Sequence, residues 1–274
     1  MCELFAMSSR SPSTLNYSLD EFAKHGGLTY RNKSGWGIAY FDDREVFLVK
    51  EPKPASDSPL VKFIAEHGRK SRCVIAHVRL ASVGAVALRN THPFRRVLGR
   101  HVHVFAHNGT LKGLRDDHDC GSLELEPVGA TDSELAFCLL LEKMKPLWAR
   151  KDDTPPPVED RLRVFAEFSG AMRERGSANF LYCDGDALFA HAHRRVYEEN
   201  GGFSESRPPG LSVRDCWACQ QGPDYACEGL KVQLGHQRTM LLASVPLDAH
   251  GWEPLPEGAV LAIRAGDEIA RTTS

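Results

Sequence analysis

Met1-Cys2-Glu3-Leu4-Phe5-Ala6-Met7 begins the sequence, and its cysteine decides how the rest is read. Cysteine is small enough at the second position for the initiator methionine to be removed. Removal of Met1 leaves Cys2 with a thiol and a free α-amino group, a nucleophile and a base in one residue. Their unperturbed pKa values, about 8.5 and about 7.7–8.0, make proton transfer between them nearly balanced close to neutral pH. Taken alone, Cys2 is read more simply as a cysteine at the start of a β-strand. Residues further along the chain favour the nucleophile.

Short runs rich in β-branched and aromatic residues recur at 37–41, 46–50, 73–80 and 102–106. Others follow at 178–183, 187–192, 240–245 and 260–263. Hairpin-like spacing between several of them predicts largely antiparallel sheet. Ser18-Leu19-Asp20-Glu21 has the form of a capping box whose helix runs to the Gly26-Gly27 stop. Thr131-Asp132-Ser133-Glu134 starts a second helix in the same way, and Glu159 to Arg175 is read as a third. Many strands with few helices between them is an α+β pattern, not a doubly wound one. The connections 152–157 and 198–210 are stiff and superficial but too short to demand separate domains. Residues 1–274 are therefore read as a single domain. Its first two-thirds carry the chemistry and its last third completes the sheets.

A chain of 274 residues with a formal net charge of −2 gives no electrostatic reason to expect a nucleic acid or an anionic membrane as partner. No signal peptide is legible at the N-terminus, and no apolar run approaches the roughly 18–20 residues that span a bilayer. The expected location is the cytoplasm, where the eight cysteines read as reduced thiols. Cys73, Cys138 and Cys183 lie in apolar strand or helix patterns and read as core residues. Cys216-Trp217-Ala218-Cys219, with Cys227 and His236, offers up to four soft ligands. No second Cys-x-x-Cys accompanies it, so the segment is read as plain thiols or an adventitious disulfide, with a zinc-dependent module as the rival. His101-x-His103 and His191-x-His193 are read as packed or solvated strand residues, and no metal is assigned to them.

Four segments hold what a cysteine amidase needs. Arg79, ending the run Ile75-Ala76-His77-Val78, offers a planar charged fork suited to a carboxylate. His92, in Asn90-Thr91-His92-Pro93-Phe94, precedes proline and is read as extended, shaping a loop and not serving as base. Asn108-Gly109 has the form of a hairpin turn, yet the Asn108 carboxamide and the Gly109 N–H would also make an oxyanion hole. Asp132 suits a helix N-terminus and would equally pair with a substrate ammonium.

Taken in order, Cys2, Gly35-Trp36-Gly37-Ile38-Ala39, Ala76-His77-x-Arg79, Asn90 to Phe94, His107-Asn108-Gly109 and Thr131 to Glu134 resemble the class II glutamine amidotransferases. The likeness is nearest to the short bacterial members that stand alone, without a fused synthase. The resemblance implies an N-terminal-nucleophile hydrolase fold, a four-layer αββα sandwich of two mainly antiparallel sheets. It implies Cys2 as nucleophile, its α-amine as base, and Asn108 and Gly109 as the oxyanion hole. Arg79 would take the α-carboxylate of glutamine, Asp132 its α-ammonium, and the Ser82 hydroxyl would lie near the substrate. No metal or organic cofactor is implied. The partners expected are a small molecule, glutamine or a γ-glutamyl compound, and a separate synthase that accepts the ammonia. Fused relatives follow the arginine with Trp-Ala-Thr-His, where this chain has Leu80-Ala81-Ser82-Val83. Two rival readings are hydrolysis of another γ-glutamyl amide or peptide, and a non-catalytic γ-glutamyl-binding protein.

Overall fold

The computed structural model describes residues 2–17, 24–28, 31–150, 152–199, 201–217, 224–227, 230–233, 237–247 and 251–274. The helix start expected at Ser18 lies outside the described residues, as do Cys219, His236 and the side chain of Cys227. Two sheets dominate. The first holds β1 (Glu3–Tyr17), β2 (Trp36–Asp42), β3 (Glu45–Glu51), β4 (Lys70–Val78), β11 (Ser212–Trp217), β14 (Arg238–Ala243) and β15 (Glu253–Pro254). Their order is β15-β11-β14-β1-β4-β2-β3, and the hairpin of β12 (Asp224–Cys227) and β13 (Leu230–Gln233) joins the far end of β1.

The second sheet holds β5 (Phe94–Leu98), β6 (His101–Leu111), β7 (Gly176–Cys183), β8 (Leu188–His191), β16 (Ala259–Arg264) and β17 (Asp267–Thr273), in the order β17-β16-β8-β7-β6-β5. A small hairpin, β9 (Glu198–Glu199) with β10 (Gly202–Phe203), stands apart from both. All the pairings described are antiparallel, as the hairpin spacing predicts.

Period-two alternation in the sequence builds the layers. Along β1, Leu4 and Ala6 face the second sheet, while Phe5 and Met7 face outward against Val61 and Ile64 of the short helix α1 (Pro59–Glu66). On β6, Val102, Val104 and Ala106 face the first sheet. The alternate residue Phe105 packs under α2 (Asp132–Trp148), beside Phe137 and Leu141. Helix α3 (Val158–Arg173) covers the same face through Leu162, Phe165 and Phe168. The result is helix, sheet, sheet, helix pair: an α+β fold, as the strand pattern predicts, in the αββα layering that the resemblance implies.

Local predictions were met unevenly. Thr131 caps α2, its hydroxyl accepting from the Glu134 N–H at 3.2 Å, but Glu134 does not return a bond to Thr131. Its carboxylate accepts from the Gly129 N–H at 2.5 Å and from Arg96 at 2.6 Å, which ties the preceding loop to β5. At the expected Gly26-Gly27 stop both glycines have non-helical backbone angles, Gly27 with φ 140°. Asn108-Gly109 is not a hairpin turn. It lies inside β6, paired with Asn179 and Ala178 of β7. The bond from His92 to Pro93 is cis. The histidine pairs are packed: His101 and His103 lie 4.7 and 4.9 Å from the Trp148 ring, and His191 is buried against Phe180.

Candidate active site

One end of the sandwich holds a small, narrow cleft. Cys2, Arg79, Ser82, Gly109 and Asp132 all line it. Residues just before β1, just after β4, near the end of β6 and in the first turn of α2 thus meet at one place, as their sequence order alone could not guarantee.

Cys2 is half-buried, and the Leu80 N–H donates to its Sγ at 3.2 Å. Burial pushes the thiol above its ordinary pKa, while the Leu80 backbone contact and the Arg79 charge pull it back. A thiol held protonated in this way needs a base beside it before it can attack.

Arg79 is buried, and its guanidinium donates to the carbonyl oxygens of Val83 at 2.8 Å, Gly84 at 3.2 Å and Ala85 at 3.2 Å. The arginine therefore shapes the loop that follows it as well as lining the cleft. Asn90 holds that loop from the other side, donating to Ala85 O at 2.9 Å and accepting from the Ala130 N–H at 2.8 Å. The exposed Ser82 hydroxyl lies 3.1 Å from Thr110 Oγ1. Asp132, at the first position of α2, accepts from the N–H of Leu111 at 2.6 Å and of Ser133 at 2.9 Å. Both bonds orient its carboxylate, and the helix N-terminus favours the negative charge.

Asn108 stands behind the cleft wall, fully buried. Its place on β6 turns it toward the first sheet, where Nδ2 donates to Ser244 Oγ at 3.2 Å. The same hydroxyl accepts from the Leu4 N–H at 3.2 Å, so Ser244 links Asn108 to the strand that presents Cys2. One Nδ2 hydrogen remains for another acceptor. Gly109 must be glycine for a local reason, since a Cβ there would overlap the carbonyl oxygen of Ser177 on β7.

Three buried histidines underlie the cleft. His107 Nε2 donates to Ser177 O at 2.9 Å. Burial lowers its pKa, so the ring is neutral and Nδ1 accepts from Ser133 Oγ at 2.9 Å. His77 Nε2 donates to His107 O at 3.2 Å, and burial drops its pKa to about 3. His92 lies on the cleft wall, its ring 4.2 Å from that of His77, and neither of its nitrogens meets a partner among the described residues. A close approach admits this segment: a Cβ on Gly37 would overlap the His92 carbonyl.

The motifs contained His77 and His107, but nothing in their spacing revealed that they form a buried neutral floor. Ser244 carried no signal, because it joins Asn108 across 136 residues. Among the described residues, no three metal-ligating side chains converge, and no helix is long and apolar enough to cross a membrane.

Comparison with known proteins agrees with this architecture. The family model for class-II glutamine amidotransferases matches residues 1–274. The Haemophilus influenzae protein named "Putative glutamine amidotransferase" is 35% identical over 274 residues, covering 98% of this chain and 86% of that protein. The Escherichia coli K12 protein named "Putative glutamine amidotransferase YafJ" is 36% identical over 200 residues, 72% of this chain and 75% of that one. Among solved structures, a predicted glutamine amidotransferase from Pseudomonas aeruginosa PA01 superposes with a TM-score of 0.65 at 29% identity, covering 98% of this chain and 100% of that one. The glutamine phosphoribosylpyrophosphate amidotransferase of B. subtilis, 15% identical with a TM-score of 0.59, matches 99% of this chain and 49% of its own, a likeness of fold alone. Two antiparallel sheets between helical layers, matched along the whole sequence, make this chain a member of the class II glutamine amidotransferase family, with the N-terminal-nucleophile hydrolase fold.

Proposed function

We propose that this chain hydrolyses the side-chain amide of glutamine, releasing ammonia and glutamate, with Cys2 as its nucleophile once Met1 is removed. The observation that carries the reading is the convergence of Cys2, Arg79, Gly109 and Asp132 on one cleft. In this mechanism the freed α-amine takes the Cys2 thiol proton, and Sγ attacks the amide carbon of the substrate. The oxyanion formed is held by the Gly109 N–H and the second Nδ2 hydrogen of Asn108. The protonated amine then gives its proton to the departing nitrogen, which leaves as ammonia, and a γ-glutamyl thioester remains. Water, giving a proton to the same amine, attacks the thioester and frees glutamate and the thiol. Arg79 would take the substrate α-carboxylate and Asp132 its α-ammonium, with Ser82 at the rim.

The test is the intact mass of the purified protein before and after an electrophilic glutamine analogue. A mass lacking Met1, with one adduct that disappears in Cys2→Ala, is the expected result. Retained Met1 or no adduct would overturn the mechanism and leave the fold standing.

Val83 favours a second reading. It lines the cleft, and its side chain supplies an apolar wall where fused relatives carry a polar residue. The far side of the pocket then suits a larger γ-glutamyl amide or peptide. A panel of glutamine against γ-glutamyl peptides decides between them: turnover of the peptides with glutamine inert would establish the second reading.

A further inference from the structure

Cys73 and Cys183 belong to different sheets, 110 residues apart in sequence, yet their Sγ atoms lie 3.7 Å from each other. Cys73 pairs with Ser8 inside the first sheet, and Cys183 with Val104 inside the second. Both face the apolar layer between the sheets. They are not simply core residues, because both line a cavity of about 630 Å3, a volume typical of small-molecule sites. No residue is common to this cavity and the cleft at Cys2. Cys73 and Arg79 are separated by about 20 Å along the rise of one strand.

The two thiols differ in access. Cys183 is buried, and burial raises its pKa well above the ordinary value, whereas Cys73 is half-buried and is the one an incoming reagent meets. Lys70 and Arg72, three and one residues before Cys73 on β4, are exposed and line the same cavity. Neither makes an ion pair among the described residues. Of the acids in the cavity, Asp42 is engaged by Arg69 and Asp186 by Arg161 and Arg264, while the exposed Asp43 is in no ion pair among the described residues, one unpaired acid against two unpaired cations.

We propose that this cavity is a thiol–disulfide exchange site, where Cys73 and Cys183 react with a small disulfide bearing carboxylates and close into a bond between the sheets. Cys73, as thiolate, attacks one sulfur of the disulfide, breaks its S–S bond and releases one thiol, which takes up the proton Cys73 lost. Cys183 then gives up its proton and attacks the Cys73 sulfur, expelling the second thiol. The protein dithiol is oxidised by two electrons, and the disulfide is reduced to two thiols. The sulfurs must approach from 3.7 Å to about 2.05 Å, and the adjoining cavity gives their side chains room to turn. Lys70 and Arg72 attract the carboxylates of the disulfide.

The test uses the full chain in a Cys2→Ala background, so that the catalytic cysteine does not compete, with oxidised glutathione as probe. The expected products are the loss of two titratable thiols, a Cys73–Cys183 linked peptide in a non-reducing digest, and a Tm raised by about 5–10 °C. With Cys183→Ala added, the reaction stops at one glutathionyl group on Cys73; with Cys73→Ala, neither product forms. Arg72→Glu slows the reaction several-fold with oxidised glutathione and leaves the rate with uncharged hydroxyethyl disulfide unchanged. Thermal melting of each variant in reductant establishes that it is folded before its thiols are counted. The proposal is overturned if both thiols stay free while exposed cysteines react. A stable glutathionyl adduct on Cys73 in the presence of Cys183 overturns it too.

Discussion

Replacing Asn108 with alanine removes the carboxamide that ties β6 to Ser244 and, in the proposed mechanism, half of the oxyanion hole. The expected consequence is a fall in kcat of about 10²–10³, the usual loss for one such donor, with KM little changed. Initial rates of ammonia release measure it, and a change confined to KM would remove Asn108 from the transition state. His92 gives a different kind of prediction. Its two buried ring nitrogens lack partners among the described residues, and each orphaned group costs about 1–3 kcal/mol. His92→Phe keeps the ring and removes the nitrogens, so Tm should rise by a few degrees. If kcat/KM also falls about tenfold, the nitrogens meet substrate or its water; unchanged kinetics would make His92 a packing residue only. Cys2, Arg79 and Asp132 were legible beforehand because each has a chemistry its neighbours do not share. Ser244 and the histidine floor were not, since their roles come from contacts with residues far away in the chain.

The first turn of α2 is the element on which Asp132 depends. Thr131 accepts the Glu134 N–H there, and Thr131→Ala should cost about 1 kcal/mol, seen as a Tm lower by roughly 2–4 °C. The same change loosens the turn that aims Asp132, so KM should rise while kcat holds. Thr131→Ser restores both, and an alanine variant with wild-type KM would show that the two bonds to Asp132 suffice without the cap. The Thr131 cap was legible from four residues because capping is a local interaction, whereas the reciprocal half of the box is absent because Glu134 is taken by Gly129 and Arg96. Strands were equally legible where β-branched and aromatic residues run together: residues 46–50 and 260–263 fall inside β3 and β16. Asn108-Gly109 shows the limit of local reading. The pair has the form of a turn, but β7 binds β6 along its whole length and holds both residues in the ladder.

Across the whole molecule, histidines instead of carboxylates should set the response to acid. Burial lowers the pKa of His77 and of His191 to about 3 and of His103 to about 4, in both sheets and in the layer beneath α2. The same cause lowers those of His92 and His107. Each is neutral when folded and takes up a proton once unfolded at its ordinary value near 6.5. The unfolded chain thus binds more protons below that pH, and the stability these residues contribute is complete above about 6.5 and lost as pH falls toward their folded values. Each contributes a slope of about 1.4 kcal/mol per pH unit, so the first three together contribute about 4. Against a typical total of about 5–15 kcal/mol, that predicts cooperative unfolding between about pH 4 and 5, most of the loss accruing above the range where carboxylates titrate. Melting curves at successive pH values measure it, with Tm flat above pH 7 and falling steeply below 6. His103→Gln, which keeps hydrogen-bonding groups near Tyr182 and Leu98 without the titration, should flatten the slope by about one proton. A Tm that stays flat to pH 4 would mean that these rings are reached by water and not held neutral by the sandwich. The αββα arrangement would then be looser around its histidines than their burial in both sheets implies.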